Sequence, residues 1–291
     1  MRILILGGAG MLGHQLVASL SNEFEIWTTV RGSAQAYQQY GVFDPERTLG
    51  GIDVLNFDAV TGVMATVKPD AVVNCIGIIK QLPAAKDPFL SIAVNSLLPH
   101  RLHRLCQAAS ARLLHFSTDC VFSGRAGNYT EDDPSDALDL YGRSKFLGET
   151  MGEGALTLRS SIIGHELGAT SGLLEWFLSQ RGGRVQGYTR ALFSGFTTHE
   201  MARIVRMVLL EHPALSGTLQ VSSERINKYD LLMLIRQAYD MDVEIVPDDK
   251  VRIDRSLDST RFRRLTGYVP PPWPRMIAEM AESRCSTTRP S

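Results

Sequence analysis

The sequence predicts an α/β protein in which a doubly wound parallel sheet is joined to a smaller, mostly C-terminal α/β lobe. Over the first 160 residues, short apolar segments alternate with segments whose apolar residues recur at helical spacing. This alternation is typical of a parallel sheet with helical crossovers on both faces. After Arg159 it gives way to scattered helical segments and to stretches rich in glycine and proline.

The pattern places the individual elements. The segments expected to be strands are residues 3–6, 24–30, 70–75, 113–117, 155–159 and, after the main sheet, 243–246. The segments expected to be helices are residues 58–67, 88–109, 140–151, 172–180, 199–210 and 228–239. Residues 270–274, PPPWP, cannot continue a helix or a central strand, so we expect a turn or rigid arm there.

Glycines follow the first strand at the spacing Gly7, Gly10 and Gly13, and a helical pattern begins behind them. A strand, a glycine turn and a helix are the context of a Rossmann-like dinucleotide-binding fingerprint. Gly7 would permit the tight turn, and Gly13 would let the helix pack closely on the strand. Gly10, with Met11 and Leu12, would bring the backbone to the pyrophosphate at the helix N-terminus.

Three segments follow from this organisation. We expect residues 1–160 to form an NAD(P)-binding Rossmann domain and residues 161–281 to form mainly a substrate-binding lobe. This lobe can be interleaved with the first domain along the chain. Residues 282–291 are polar, and we expect a disordered tail there.

Composition excludes several classes of function. The 291 residues are 44% hydrophobic with a net charge of −1, which gives no electrostatic case for nucleic acid or an anionic membrane. No apolar run reaches the roughly 20 residues of a membrane span. A strand pattern from residue 2 leaves no room for a signal peptide. We expect a cytoplasmic protein. Its cysteines are expected to be reduced and its histidines not to bind metal, because neither set has ligand spacing: Cys75, Cys106, Cys120, Cys285, His14, His100, His165 and His199.

Tyr141 and Lys145 stand four residues apart in a helical segment, so they share one face of the helix. An ammonium near a phenol favours its ionised form, and a tyrosine tuned in this way is a useful acid or base. Ser117 and Thr118 leave the end of a buried strand, where ligands bind in open α/β sheets. Their hydroxyls either reach a bound substrate or cap the next turn.

These motifs resemble the extended short-chain dehydrogenase/reductases in combination: the glycine turn, NCIG after a strand, Ser117-Thr118-Asp119 and Tyr141-x-x-x-Lys145. Within that superfamily, STDCVFSG and DLYGRSKFLGE are similar to the dTDP-4-dehydrorhamnose reductase family, and LRSS and RSLD resemble two of its later segments. The resemblance implies hydride transfer from a nicotinamide cofactor to the C4 ketone of a nucleotide-linked sugar.

The resemblance also implies residue roles. Tyr141 would donate a proton to the developing alkoxide, and Lys145 would lower the pKa of the tyrosine and hold the nicotinamide ribose. Thr118 would hydrogen-bond the ketone oxygen, with Ser117 as the alternative. The family has a tyrosine where Cys120 stands here, so we expect a different sugar pocket.

The residues at the end of the second strand indicate which cofactor the protein prefers. It ends without the acidic residue that would bind the ribose of NAD, whereas Arg31 could pair with the 2′-phosphate of NADP. We therefore expect NADPH, with NADH possible. Asp53 and Val54 resemble the pair that lines the adenine pocket, although a simple loop aspartate fits as well. Three further residues are assigned to the cofactor by the same resemblance: Cys75, Ile76 and Gly77.

For the substrate we assign Lys80, Asp119, Cys120, Trp176 and Arg255. Lys80 belongs either to the site or to a solvated loop. Trp176 and its neighbour Phe177 either stack on a base or sugar or pack in the core. Arg255 is chosen from a basic cluster as a partner for a diphosphate.

Two other functions stay open at this point. One is a nucleotide-sugar epimerase or dehydratase with tightly bound NAD. The other is a non-catalytic, NADP-binding regulatory subunit, because the β subunit of methionine adenosyltransferase resembles the same group. A homodimer is possible.

Overall fold

The computed structural model describes residues 1–168 and 171–287, with side chains up to residue 283. The strands are β1 Arg2–Leu6, β2 Glu25–Thr29, β3 Thr48–Leu49, β4 Ala71–Asn74, β5 Arg112–Ser117, β6 Ala155–Arg159, β7 Ile162–Ile163, β8 Arg184–Tyr188, β9 Ala191–Phe193, β10 Phe196–Thr197, β11 Gly217–Gln220, β12 Ile226–Asn227, β13 Glu244–Asp248 and β14 Ile253–Asp254. The helices are α1 Met11–Leu20, α2 Ala34–Tyr37, α3 Phe57–Val67, α4 Pro88–Ser91, α5 Leu98–Ala108, α6 Leu140–Leu147, α7 Leu173–Leu178, α8 Thr198–Leu210, α9 Lys228–Ala238, α10 Thr260–Thr266 and α11 Trp273–Thr287.

Seven strands form one parallel sheet in the order β11-β6-β5-β4-β1-β2-β3. This confirms the predicted doubly wound sheet. The strand order reverses beside β1, with β2 on one side and β4 on the other, and ligands bind at such a switch point in open α/β sheets. Ile3 to Leu6 are fully buried because helices cover both faces, which is why β1 reads as an unbroken apolar run.

The two faces of the sheet carry separate cores. On one face, Leu16 of α1 packs in a cluster with Val205 of α8 and Met276 of α11. On the other face, Met64 of α3 and Leu102 of α5 pack together. Since α8 and β11 both follow residue 160, later parts of the chain complete the first domain, and the two lobes are interleaved.

The second lobe is built from short sheets and α7, α9 and α10. β8 pairs with β13, β7 pairs with β10, and a three-stranded sheet has the order β12-β9-β14. This three-stranded sheet lies against the segment that follows β5. The backbone N–H of Asp254 donates to the carbonyl of Gly124 over 2.8 Å, and Tyr129 forms a parallel bridge with Leu257. The lobe therefore covers the carboxyl end of the main sheet.

The helix predicted over residues 88–109 is interrupted. Six residues, Ile92–Leu97, are π-helical between α4 and α5. The side chain of Asn95 explains the extra residue in the turn, because its Oδ1 accepts from the backbone N–H of Ile78 (2.8 Å) and its Nδ2 donates to the same residue's carbonyl (3.0 Å). Such bulges occur often at functional sites.

Two predictions about the C-terminal region are wrong in part. Trp273 and Pro274 begin α11 and do not belong to a rigid arm, because the first turn of a helix does not need the N–H that proline lacks. The same helix runs to Thr287, so residues 282–287 are helical where a disordered tail was expected; residues 288–291 lie outside the described part. Among the described helices, none has the length and apolarity to cross a membrane.

Close packing of α1 on β1 predicts the effect of a single methyl group. A Cβ at Gly13 would collide with the carbonyl oxygen of Gly7 and come within 2.9 Å of the Cα of Gly8. We expect Gly13→Ala to lower the free energy of unfolding by about 2 kcal/mol or more, because backbone cannot move aside as a side chain can. Urea denaturation would measure this.

Gly62→Ala in α3 is the matched control, since nothing lies within 4 Å of its added Cβ. It should raise the free energy of unfolding by about 0.5–1 kcal/mol through helix propensity. Equal effects of the two substitutions would contradict the packing argument.

Candidate active site

The turn after β1 has the form of a cradle for a phosphate group. Gly7 has φ +85°, and its N–H donates to Thr29 Oγ1 over 3.2 Å. The N–H of Gly10 closes the turn on the carbonyl of Gly7 at 3.0 Å. Gly10 is also the N-cap of α1, with no side-chain cap, so the backbone around Met11 and Leu12 forms an uncapped helix N-terminus. Such N-termini attract anions.

The loop after β4 lies beside this turn. The N–H of Cys75 donates to the carbonyl of Leu6 at 3.0 Å, and a Cβ on Gly7 would come within 2.8 Å of Ile76 Cγ1. A Cβ on Gly77 would lie 3.8 Å from Lys145 Nζ. The loop thus joins the glycine turn to α6, with no room for a side chain at Gly7. These glycines fit a dinucleotide laid along the strand ends.

Arg31, Asp53 and Val54 lie near the end of β2, at the far side of the glycine turn. Arg31 is exposed, so its side chain is accessible to a ligand that binds at the surface. Asp53 is also exposed, and its Oδ1 accepts from the N–H of Leu55 at 3.0 Å, so it stabilises its own turn. Val54 is buried in the second core. The adenine-pocket role of the pair stays a prediction.

Thr118 and Tyr141 are brought together where β5 ends. Thr118 lies close enough to Tyr141 for its side chain to favour the ionised phenol and so to lower its pKa. Thr118 Oγ1 also lies 3.1 Å from Asp119 Oδ1 and accepts from the N–H of Cys120 at 3.1 Å. Ser117 points elsewhere and donates to Glu149 Oε1 at 2.6 Å. Of the two hydroxyls that the sequence left open, the geometry therefore favours Thr118.

The expectation that Lys145 lowers the pKa of Tyr141 is wrong for this structure. Burial raises the pKa of the Tyr141 phenol well above its usual range, with Cys120 and Asp119 adding to the effect and the hydrogen bond with Thr118 opposing it. The phenol therefore keeps its proton at neutral pH.

Lys145 is buried at the end of β5, where its ammonium group has a hydrogen-bond partner. Its Nζ donates to the carbonyl oxygen of Phe116 over 2.6 Å. Burial lowers the pKa of the ammonium to about 8, against the pull of Glu149. The spacing of the motif correctly placed Tyr141 and Lys145 on one helix, but the backbone carbonyl is the nearest partner of the lysine.

Asp139 fixes the beginning of α6 and therefore the position of Tyr141. Its Oδ1 accepts from the N–H of Gly142 at 2.8 Å, as an N-cap, and its Oδ2 accepts from Lys80 Nζ at 2.6 Å. Burial disfavours the charge, yet these two hydrogen bonds leave the pKa of Asp139 lowered. Lys80 thus lies at the N-terminus of α6, the helix that carries Tyr141 and Lys145. Its contact with substrate stays a prediction.

Asn95 and Ser144 were missed by sequence reasoning. Asn95 Nδ2 donates to Ser144 Oγ at 3.2 Å, and Ser144 Oγ donates to the carbonyl of Tyr141 at 2.9 Å. The π-helical segment is thereby tied to the turn of α6 that carries Tyr141 and Lys145. The available signal was an asparagine inside an apolar helical pattern, where that residue has poor helix propensity.

A buried ion pair lies behind the site. Arg159 donates from Nε and Nη2 to the two carboxylate oxygens of Glu149, both at 2.7 Å, and each side chain is 6% exposed. Arg159 Nη1 has no hydrogen-bond partner among the described residues, although the guanidinium lies 5.4 Å from the centre of the Phe122 ring. With Ser117, this pair anchors the end of α6 to β5 and β6.

The residues assigned to substrate have different surroundings. Arg255 donates from Nε to the carbonyl of Phe122 at 2.8 Å, so it reaches the segment after β5 from the second lobe. Burial raises the pKa of the Cys120 thiol to about 12, which leaves it uncharged. Trp176 is 39% exposed, whereas its neighbour Phe177 is fully buried in the core. Stacking on a ligand therefore stays a prediction for Trp176 and is wrong for Phe177.

The sheet order, the glycine turn and the Tyr141–Lys145 helix define an extended short-chain dehydrogenase/reductase. Within that class, the chain belongs to the family of the RmlD substrate binding domain, whose model matches residues 1–168.

Relatives support this membership. The chain is 34% identical to dTDP-4-dehydrorhamnose reductase of Streptomyces griseus over 149 residues, which is 51% of this chain and 43% of that protein. It is 30% identical to the probable low-salt glycan biosynthesis reductase Agl14 of Haloferax volcanii over 231 residues, covering 76% of this chain and 74% of the relative. It is 27% identical to methionine adenosyltransferase 2 subunit beta of Danio rerio over 254 residues, covering 82% and 74%. The first of these matches thus spans less than half of its relative.

Solved structures share the fold over nearly the whole chain. Bacillus anthracis dTDP-4-dehydrorhamnose reductase in complex with NADP has a TM-score of 0.78 at 21% identity, covering 97% of this chain and 99% of that one. The Bordetella bronchiseptica enzyme WbmG in complex with NAD and UDP has a TM-score of 0.79 at 20% identity, covering 99% and 96%. At these identities the likeness shows the fold.

The buried pair behind the site predicts a stability effect. Glu149→Gln keeps the size of the side chain but leaves the Arg159 guanidinium buried without its counter-charge. We expect a loss of about 3–5 kcal/mol in the free energy of unfolding, measured by urea denaturation.

The control is Glu23→Gln. Glu23 accepts from Arg206 at 2.7 Å on an exposed surface, and such pairs contribute about 0–1 kcal/mol. A loss no larger for Glu149→Gln than for the control would contradict a structural role of the buried pair.

Proposed function

We propose that the protein catalyses the NADPH-dependent reduction of the C4 ketone of a nucleotide-activated 6-deoxy-4-ketohexose. One observation carries the proposal: the side chains of Thr118 and Tyr141 are neighbours at the end of β5, and the buried ammonium of Lys145 lies one helical turn along α6 from Tyr141. A carbonyl oxygen that becomes an alkoxide needs such a pair of positioned donors. The reductases among the relatives agree with this chemistry.

The cofactor site would be formed along the strand ends. Gly10, Met11 and Leu12 would hold the pyrophosphate at the N-terminus of α1, and Cys75 to Gly77 would line the path toward Lys145. The nicotinamide supplies the hydride when it is bound. Lys145 would hold the nicotinamide ribose, which keeps the face of the ring toward the substrate.

Proton transfer would be the task of Tyr141. Its raised pKa keeps the phenol protonated at neutral pH, so the hydroxyl can donate to the alkoxide that forms at C4. Thr118 would hydrogen-bond the same oxygen and polarise the ketone. Lys145 would supply positive charge near the phenolate that remains. Arg255 donates to the carbonyl of Phe122 through Nε, and its other two guanidinium nitrogens would bind the diphosphate.

The epimerase and the regulatory subunit are each supported by one comparison, and this support is weaker than that for the reductase. WbmG, described with NAD and UDP, shares the fold, and an epimerase would hold NAD tightly and show no net oxidation of NADPH. The match to methionine adenosyltransferase 2 subunit beta suggests a regulatory subunit. The presence of Thr118, Tyr141 and Lys145 together at the end of β5 favours catalysis over both a lost and a purely regulatory site.

We place the reaction in the cytoplasm and in deoxysugar biosynthesis for cell-surface polysaccharide, in line with the glycan-biosynthesis reductase of Haloferax volcanii. A homodimer stays a prediction. Exposed apolar side chains on and beside α6, Phe146, Leu147 and Met151, are the surface we propose for it, and a monomer by sedimentation equilibrium at micromolar concentration would contradict it.

Tyr141→Phe tests the reaction. The substitution removes the proton donor and little else, so kcat/KM for NADPH oxidation with a 4-keto sugar nucleotide should fall by about 10²–10⁴-fold. The affinity for NADPH should stay within about twofold.

Tyr188→Phe is the control, because Tyr188 lies exposed on β8 in the second lobe and is outside the proposed site. Full activity of Tyr141→Phe would show that another group donates the proton. Stoichiometric NAD in the purified protein, with no turnover of NADPH, would favour the epimerase.

Arg31 tests the cofactor preference. We expect NADPH to be used with a kcat/KM about 10–100-fold higher than NADH, since a charge-assisted hydrogen bond to the 2′-phosphate has this magnitude. Arg31→Ala should remove most of this preference without changing the rate with NADH. Arg104→Ala, on the exposed face of α5, should change neither rate. A wild-type enzyme that prefers NADH would refute the assignment.

A further inference from the structure

His115 lies in the middle of the main sheet, and none of the roles assigned to cofactor or substrate explains it. It is on β5, where it pairs with Asn74 of β4 on one side and with Thr157 of β6 on the other. Its side chain is fully buried. Because buried polar groups in folded proteins nearly always have hydrogen-bond partners, the partners of this imidazole indicate its role.

Asn74 is the partner of the ring nitrogen Nδ1. Its side-chain Nδ2 lies 3.1 Å from His115 Nδ1, while its Oδ1 accepts from the backbone N–H of Ile76 at 3.1 Å. Since a backbone N–H can only donate, it fixes which end of the amide is the oxygen, and the amide nitrogen faces the ring. Nδ2 therefore donates to Nδ1, and the proton of the neutral imidazole is on Nε2.

The other protonation states of His115 do not fit these surroundings. A proton on Nδ1 would place two donors against each other, at Nδ1 and at Asn74 Nδ2. Burial lowers the pKa of His115 well below its ordinary value, and the charges of Lys145 on α6 and His100 on α5 lower it further, so the ring is neutral at pH 7. Nε2 has no hydrogen-bond partner within the described part of the chain. Because a buried N–H without a partner is costly, a histidine at this position needs a reason, and that reason lies at Nδ1.

Asn74 and Asn95 hold the loop that follows β4 (residues 75–78, the β4 loop) on both sides of Gly77. The amide oxygen of Asn74 accepts from the N–H before Gly77 at 3.1 Å, and that of Asn95 accepts from the N–H after it at 2.8 Å. A Cβ at Gly77 would lie 3.8 Å from Lys145 Nζ. The two amides therefore fix the loop where it passes the lysine proposed to hold the nicotinamide ribose.

Each amide holds the loop in one orientation only. Asn95 Nδ2 donates to the carbonyl of Ile78 and to Ser144 Oγ, at 3.0 and 3.2 Å. Asn74 Nδ2 has His115 Nδ1 as its acceptor. Without that acceptor, the amide of Asn74 could rotate and turn its own N–H groups toward the backbone N–H that its oxygen binds, which would release that side of the β4 loop.

We propose that His115 is a positioning residue for the cofactor site. In its Nε2–H tautomer it orients the amide of Asn74, and through that amide it sets the backbone of the β4 loop. The inference rests on the proposed function, because residues 75–77 of this loop are assigned there to the cofactor. It adds a residue that controls cofactor binding from the middle of the sheet without touching the cofactor.

The tautomer is tested in the protein without cofactor. Histidine is labelled with the heavy nitrogen isotope, and long-range proton–nitrogen NMR correlation is recorded at pH 7. The ring of His115 is identified by its loss in His115→Asn. We expect a protonated Nε2 and an unprotonated Nδ1, and a protonated Nδ1 in the wild-type protein would overturn the proposal.

Asn74→Asp gives the same measurement a signature that packing alone would not produce. A carboxylate still accepts from the backbone N–H of Ile76, but it presents an acceptor to the ring where the amide presented a donor. We expect a proton on Nδ1 of His115 in this variant. An Nδ1 that stays unprotonated in Asn74→Asp would contradict the orienting contact.

The affinity for NADPH tests the effect on the β4 loop. His115→Leu removes the acceptor, and the Kd measured by calorimetry should rise about 3–10-fold, the effect of losing one hydrogen bond. In His115→Asn an amide oxygen stands near the former position of Nδ1, so the Kd should stay within about twofold of wild type.

His212→Leu is the matched control. His212 also has a ring nitrogen without a partner among the described residues, but it lies between α8 and β11, at the amino end of the sheet. The Kd for NADPH should be unchanged. Urea denaturation of every variant shows that the proteins compared are folded.

The outcomes distinguish this inference from the function on which it rests. Equal losses of affinity in His115→Leu and His115→Asn, or no loss in either, would overturn the role of His115. If His115→Leu does not fold, the tautomers of the wild-type protein and of Asn74→Asp still decide the matter. A wild-type protein that binds NADPH but reduces no 4-keto sugar nucleotide would overturn the proposed reaction and leave the positioning role standing. One that binds neither NADPH nor NADH would overturn both.

Discussion

Parallel pairing of β4, β5 and β6 beside β1 is the constraint on which the site depends. The register sets Asn74 opposite His115 and Ser117 opposite Arg159, so the strands end at one edge. Each strand is buried over most of its length, and the polar residues that follow it come together at that edge. Residues distant in the chain are collected there by the sheet, and hydrogen bonds such as that of Ser117 to Glu149 then join them.

Burial then decides the electrostatics of the site. The same packing that excludes water raises the pKa of the Tyr141 phenol and lowers that of the Lys145 ammonium to about 8, so each group is pushed toward its neutral form. Charges that persist there are paired, as Glu149 is with Arg159. A tyrosine that keeps its proton therefore stands beside the hydroxyl of Thr118 in a site with little water.

The second lobe contributes what the first cannot. The main sheet and its glycine turn are common to dinucleotide-binding folds, and they do not identify a substrate. Arg255 reaches the segment after β5 from the three-stranded sheet, where its Nε donates to the carbonyl of Phe122. Because that sheet is hydrogen-bonded to Gly124, and Tyr129 is bridged to Leu257, the guanidinium is held in a fixed position relative to the segment after Thr118. The surroundings of Thr118 consequently depend on how the lobes meet.

The sequence by itself determined the strands of the main sheet, the glycine turn and the helix with Tyr141 and Lys145, because these follow from local patterns of apolar residues, glycines and helical spacing. It did not determine the π-helical turn at Asn95 or the hydrogen bond between Asn74 and His115, since both depend on contacts between segments far apart in the chain. It also misjudged the pKa of Tyr141: spacing on a helix shows which groups are near, but only the packed structure shows how much water they have lost. The contacts between the two lobes were decided by the tertiary structure for the same reason.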